Sequence, residues 1–194
     1  MKKILAIFFV ILIMLSLAAC GTDNESKDSV DDNNNSSDVT LRKKSYTAAE
    51  EIDAAFLQQE VRIISTEYVV QDKRYKSLYP DLLQVVIKND SQYDLKNVVV
   101  AFVAWDENNL PVKIKGKYDY GSKTSYIKKC NYEDINLIPG DTFGDDVGMA
   151  LSSECDTIDK FKAIVVSYEG FDGEEWTNPL YEDWVKIYEG KRYS

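Results

Sequence analysis

The chain has 194 residues, with 33 acidic and 23 basic side chains, a net charge of −10 and no histidine. Without an imidazole, Ser-His-Asp and Cys-His hydrolysis, HExxH zinc proteolysis and His-ligated zinc, haem or iron are excluded, which leaves paired carboxylates as the main catalytic option. The excess negative charge repels phosphate, so nucleic acid is not an expected partner, and no cofactor is expected.

Residues 1–19 read as a secretory signal: Lys2-Lys3, then an apolar stretch over residues 4–15, then small residues. At about 12 residues the stretch is too short to span the ~30 Å hydrocarbon core. The signal ends in Leu17-Ala18-Ala19-Cys20, which resembles a lipobox. That resemblance implies that Cys20 becomes the first mature residue and carries diacylglycerol, whose two chains hold a protein on a membrane where one would let go. The expected location is the outer face of the cell membrane. Losing Lys2 and Lys3 takes the net charge from −10 to −12, so the acyl chains, rather than a basic patch, are expected to supply membrane residence.

Residues 20–44 are rich in Asp, Asn and Ser and bury too little apolar surface to offset ordering entropy, so they read as a disordered acidic tether. Its r.m.s. reach as a flexible chain is about 25–30 Å. Residues 45–194 are one domain's worth of chain, about 150 residues.

Within that domain, Thr47 and Glu50 match a capping box, and Ala48, Ile52, Ala55 and Phe56 recur at helical spacing, which predicts a short helix over residues 48–59. The period then falls to two. Strands are predicted over residues 61–70, 82–88 and 98–105, the last so continuously apolar that it reads as central. Asp106-Glu107-Asn108-Asn109 is a hairpin turn with Asn109 suited to positive φ. Further strands are expected over residues 110–115, 126–130, 135–138, 142–151 and 161–168, with turns at Pro139-Gly140-Asp141 and Gly144-Asp145-Asp146. Asn178, Pro179, the acidic pair Glu182-Asp183 and Gly190 frame a helix over residues 179–189, with Leu180, Trp184, Ile187 and Tyr188 on its buried face. Short strands joined by hairpins, without intervening helices, give a mainly β protein: an immunoglobulin-like antiparallel β-sandwich of about seven strands with a short N-terminal helix and a C-terminal helix.

If Cys20 carries lipid, Cys130 and Cys155 remain in an oxidising compartment, either paired as a disulfide or as two free thiols. Asp106-Glu107, Asp145-Asp146 and Asp172 with Glu174-Glu175 offer oxygen ligands suited to Ca²⁺, or are turn residues facing water; none matches an EF-hand loop, and no metal is expected. Trp176, beside the Gly173 turn, is the tryptophan best placed to stack on a sugar or peptide.

Residues 83–91 and 95–100, with Trp105-Asp106 and Leu137-Ile138-Pro139-Gly140-Asp141-Thr142, are similar to FxLYD-type immunoglobulin-like domains of bacterial envelope proteins. More closely, Tyr79-Pro80-Asp81, residues 101–106, residues 110–116 and Phe171-Asp172-Gly173-Glu174-Glu175-Trp176 resemble a domain-of-unknown-function family found in lipoproteins of Gram-positive bacteria. The resemblance implies a sandwich without a known active site. The expected function is a noncatalytic binding or scaffolding module with an envelope protein or cell-wall ligand as partner; the alternative is a carboxylate-dependent envelope hydrolase acting on glycans.

Overall fold

The computed structural model describes residue 46 and residues 48–76, 78–121, 124–155 and 157–194. Cys20, the signal and the tether fall outside the described residues, as does Thr47 of the capping box.

The fold is a β-sandwich of two antiparallel sheets with a short helix near each end of the described chain. In the first sheet β1 (Val61–Val69) pairs along its length with β2 (Leu82–Asn89). In the second, β3 (Leu95–Trp105) has β4 (Pro111–Val112) and β5 (Lys128–Tyr132) on one side. Back on the first sheet, β6 (Thr142–Phe143) and β7 (Gly148–Ala150) share the far side of β2. Returning to the second, β8 (Lys160–Gly170) lies beside β3 and carries the short β9 (Glu175–Thr177) on its other edge.

β3 is buried on both faces, which accounts for its unbroken apolar run. Val98, Val100, Phe102 and Ala104 point between the sheets to meet Val61, Leu83, Val85 and Ile87 of the first sheet. Ala101, Val103 and Trp105 point the other way, where α1 (Ala49–Phe56) contributes Ile52, and α2 (Tyr181–Tyr188) contributes Trp184 and Tyr188. Both helices therefore cover the outer face of the second sheet. Trp105 also donates its indole N–H to the carbonyl of Lys191 at 2.8 Å, tying the C-terminal residues to this layer.

Nine strands form among the described residues rather than about seven: of the eight expected segments one divides in two and one forms no strand, and β9 is new. The segment over residues 142–151 splits into β6 and β7. Gly144, at φ 121°, turns the chain away, and a side chain there would clash with the Val85 carbonyl. Residues 135–138 form no strand: Asp134 and Asn136 take φ of 53° and 47°, so only Leu137 bridges to Leu95. Residues 110–115 keep only the two residues of β4 plus a bridge from Ile114 to Ser125. β9 was too short for its alternation to register in the sequence. Asn109 does adopt positive φ, at 63°.

The C-terminal helix starts two residues later than expected, at Tyr181. Asn178 is buried and does more than cap. Its side-chain oxygen accepts from the Leu180 N–H at 2.9 Å and from Gln59 at 2.8 Å, while its amide nitrogen donates to the Val165 carbonyl. Residues from the end of α1, the β8 bulge and the entry to α2 thus meet at one side chain.

Candidate functional site

Trp176 lies on β9, half-buried, and its ring stacks on Tyr168 of β8 at 5.1 Å between centroids and 15° between planes. Both rings pack against the core between the sheets. One ring face is therefore already taken by a protein side chain. The neighbours Glu175 and Thr177 alternate to the opposite side, where a polar depression of about 280 Å³ contains Asn97, Asn131, Ser167 and Glu169. Glu169 and Glu175 are directly opposed in the β8–β9 ladder, which places their Cβ atoms about 4.5–5.5 Å apart. Asn97 donates to Glu169 at 2.6 Å.

Cys130 and Cys155 are both thiols in the structure. They have separate partners, and the disulfide that the sequence allowed is not formed in the structure. Cys155 is buried, accepts from the Lys115 N–H at 3.1 Å and faces the Lys115 carbonyl at 3.4 Å. Cys130, on β5, sits beside the buried Tyr132. Burial pushes the Cys130 thiol up, and the Tyr132 hydroxyl and Lys128 only partly offset this, so the thiolate needed for reactivity is disfavoured.

The first of the acidic turns has structural work. Asp106 accepts from the N–H groups of Asn108 and Leu110 at 2.9 and 2.8 Å, closing the β3–β4 hairpin. Among the described residues no group of three or more His, Cys, Asp or Glu side chains is gathered to hold a metal ion. Among the same residues, no helix is long and apolar enough to cross a membrane.

One apolar feature was not legible in the sequence. An open groove of about 360 Å³ runs between β1 and the first half of β8, lined by Phe56, Ile63, Ile64, Phe161, Ile164 and Trp184. Its position follows from sheet topology. Among the described residues β1 pairs only with β2, and β8 is bonded on that side by β9 over residues 167–169 and by Asn178 at the Val165 and Val166 carbonyls, so the β1 edge and the β8 edge over residues 160–164 lie open toward one another. A bulge at Ile64, between the pairs Ile63–Ile87 and Ser65–Val86, leaves that side chain 50 % exposed at the groove. The C-terminal turn of α1 forms a wall, with Leu57 61 % exposed beside it.

Two of the groove's polar members, Asp53 and Lys162, are satisfied together with Tyr188. Lys162 donates to Asp53 and to the Tyr188 hydroxyl, and Tyr188 donates to Asp53 at 2.8 Å. Burial opposes the charge on Lys162, but these hydrogen bonds outweigh it and hold the ammonium above its ordinary range. Burial pushes the Tyr188 phenol up to about 12; its bond to Asp53 adds to this, and Lys162 acts against it.

Two antiparallel sheets, flanking helices and an apolar groove at the open sheet edges define a mainly β sandwich domain. Residues 82–191 match the profile of the family of unknown function DUF5780, and the chain belongs to that family. A crystal structure of a hypothetical protein from Peptoclostridium difficile 630 shares the fold, with a TM-score of 0.57 at 14 % identity, covering 71 % of this chain and 95 % of that one. No curated protein matches the chain.

Proposed function

We propose that this chain is a membrane-anchored extracytoplasmic lipoprotein whose sandwich acts as a noncatalytic binding module, taking an extended segment of another envelope protein into the groove between β1 and β8. The observation that carries the reading is the coincidence of unpaired strand edges with exposed apolar side chains in one groove. An extended peptide supplies both backbone groups and alternate side chains to such a surface, and the volume is at the lower end of ordinary ligand sites. The lipobox at Leu17-Ala18-Ala19-Cys20 and the resemblance to FxLYD-type domains support the location and the absence of catalysis.

A photo-crosslinking residue at position 64 or 57 in cells tests the reading. One envelope protein captured from both positions, and lost on Ile63→Glu without loss of cooperative melting, is expected; no shared product would overturn it. Growth with labelled fatty acid tests the anchor separately, since label that persists in Cys20→Ala removes it.

The alternative, a carboxylate-dependent hydrolase of envelope glycans, has its best location at Glu169 and Glu175, which stand opposite one another in the β8–β9 ladder, since glycosidases work with a pair of carboxyl groups. Turnover of peptidoglycan fragments abolished by Glu169→Gln or Glu175→Gln would favour it.

A further inference from the structure

The end of the sandwich at which β2 begins carries a second surface that the groove does not use. Tyr75, Leu78 and Tyr79 in the β1–β2 loop, with Tyr118 and Tyr120 after β4, are 51–89 % exposed. The two loops are neighbours: Lys117 donates to the Leu78 carbonyl at 3.4 Å, and the Lys117 N–H bonds the carbonyl of Ala150, which pairs with Leu82 at the start of β2. Exposed apolar residues scattered singly need no explanation, but five grouped on one tip mark a contact surface.

The charges on the tip narrow what can cover it. Every carboxylate of these loops is held by a cation: Asp72 by Arg74 at 2.8 Å, Asp81 by Lys76 at 2.6 Å and Asp119 by Lys128 at 2.5 Å. Lys73 and Lys117 have no carboxylate within ion-pair distance among the described residues, so the tip presents two uncompensated ammonium groups on a chain of net charge −10. A flexible polyanion would gain from the lysines but nothing from Leu78. A bilayer surface rewards both: tyrosine rings and leucine settle at the headgroup boundary, and each lysine near an anionic surface adds electrostatic attraction.

We propose that this tip rests on an anionic lipid bilayer surface, orienting the domain on its own membrane. The inference depends on the lipid-anchor reading. Twenty-four residues separate Cys20 from Ser45, and at roughly 3.3–3.6 Å each they reach about 80–85 Å when extended. A domain of this size is about 40 Å across, so the anchor leaves the tip free to reach the lipid. The even negative charge expected from composition averages a surface on which the folded chain sets cations and aromatic rings apart.

The test uses the full chain, lipid-modified in its host and reconstituted into vesicles. Leu78→Trp places a reporter on the tip, and Asp172→Trp places a control in the β8–β9 hairpin, at the opposite end of the sandwich. With brominated anionic phosphatidylglycerol, quenching of the tip reporter's emission at least twofold over the control is expected. Phosphatidylcholine vesicles, or the added changes Lys73→Glu and Lys117→Glu, should remove that difference. Chain that floats with the vesicles but shows equal quenching at both positions would overturn the tip contact and leave the anchor standing. Chain that does not float overturns both. Quenching that appears only when a wall polymer or a second protein is present also overturns it.

Discussion

Lys162 on β8 and Asp53 on α1 stand 109 residues apart in sequence and meet as an ion pair on the outer face of the second sheet. Tyr188 of α2 closes the triad, and the Lys162 ammonium lies 4.8 Å from the Tyr188 ring centroid. One β8 side chain thus binds both helices to the sheet. Asp53→Asn should weaken this clamp without emptying a packed site. Since Asp53 is more than a third exposed, solvent screening limits the loss to about 1 kcal/mol. That corresponds to a Tm about 2–4 °C lower for a chain of this length. Amide exchange should accelerate first in α1, and an unchanged exchange pattern would show that Ile52 and Asn178 hold the helix without the triad.

The same triad makes stability fall at alkaline pH. Lys162 and Tyr188 both have folded pKa values above their ordinary values of 10.5 and 10.0, Tyr188 at about 12. The folded chain therefore binds more protons than the unfolded chain above about pH 10. Their contribution is fully present below pH 10 and is lost as pH rises toward 12. Urea melts of wild type and Tyr188→Phe at pH 8 and pH 11 should show the larger alkaline decline in the wild type; parallel declines would place the effect elsewhere.

Thiol titration examines the cysteine chemistry directly. The Cys20→Ala chain, purified without reductant and denatured, should release two thiols, one each from Cys130 and Cys155. In the native state both should react slowly, since Cys155 is buried and burial raises the Cys130 pKa. Fewer than two thiols in denaturant would mean that the pair is oxidised in the envelope.

How much of this was legible beforehand depended on whether the signal was local. The β3 run, the Asn109 turn and the apolar face of α2 carry their cause within a few residues, and each appeared as expected. The division of the segment over residues 142–151 arises where Gly144 passes against the Val85 carbonyl, a contact between positions far apart in sequence. Pattern reading sees a glycine there but not the backbone it must avoid. Trp176 was placed correctly beside its turn, yet its Tyr168 partner depends on the β8–β9 register. The groove was illegible for the same reason: it is made by the edges of strands from two sheets, and no window of sequence contains both.

Trp176 stacked on Tyr168 acts first as a packing element. Trp176→Ala should cost about 2 kcal/mol, reflecting half-buried apolar area and an offset ring pair. Trp176→Phe should restore most of it. A melt unchanged by Trp176→Ala would free the ring for the ligand-stacking role suggested by its sequence context.

Tyr132 offers the sharpest single-atom test. Its ring packs edge-on against Phe143 at 5.7 Å and 71°, while its hydroxyl oxygen is buried without a geometrically sound hydrogen bond. Burial, and then the adjacent Cys130 thiol, push its pKa far up, so the phenol stays neutral throughout the working range. A thiol is a weak donor and a weak acceptor, so it compensates little of the oxygen's lost hydration. Removing the oxygen while keeping the ring should therefore be neutral or stabilising, by up to about 1 kcal/mol in Tyr132→Phe. Tyr132→Ala, which opens a cavity between the sheets, should cost about 3 kcal/mol or more. If Tyr132→Phe instead destabilises by more than about 1 kcal/mol in urea melts, the contact with Cys130 is a stronger bond than a thiol ordinarily makes, and Cys130→Ala should then cost less in the Tyr132→Phe background than in the wild type.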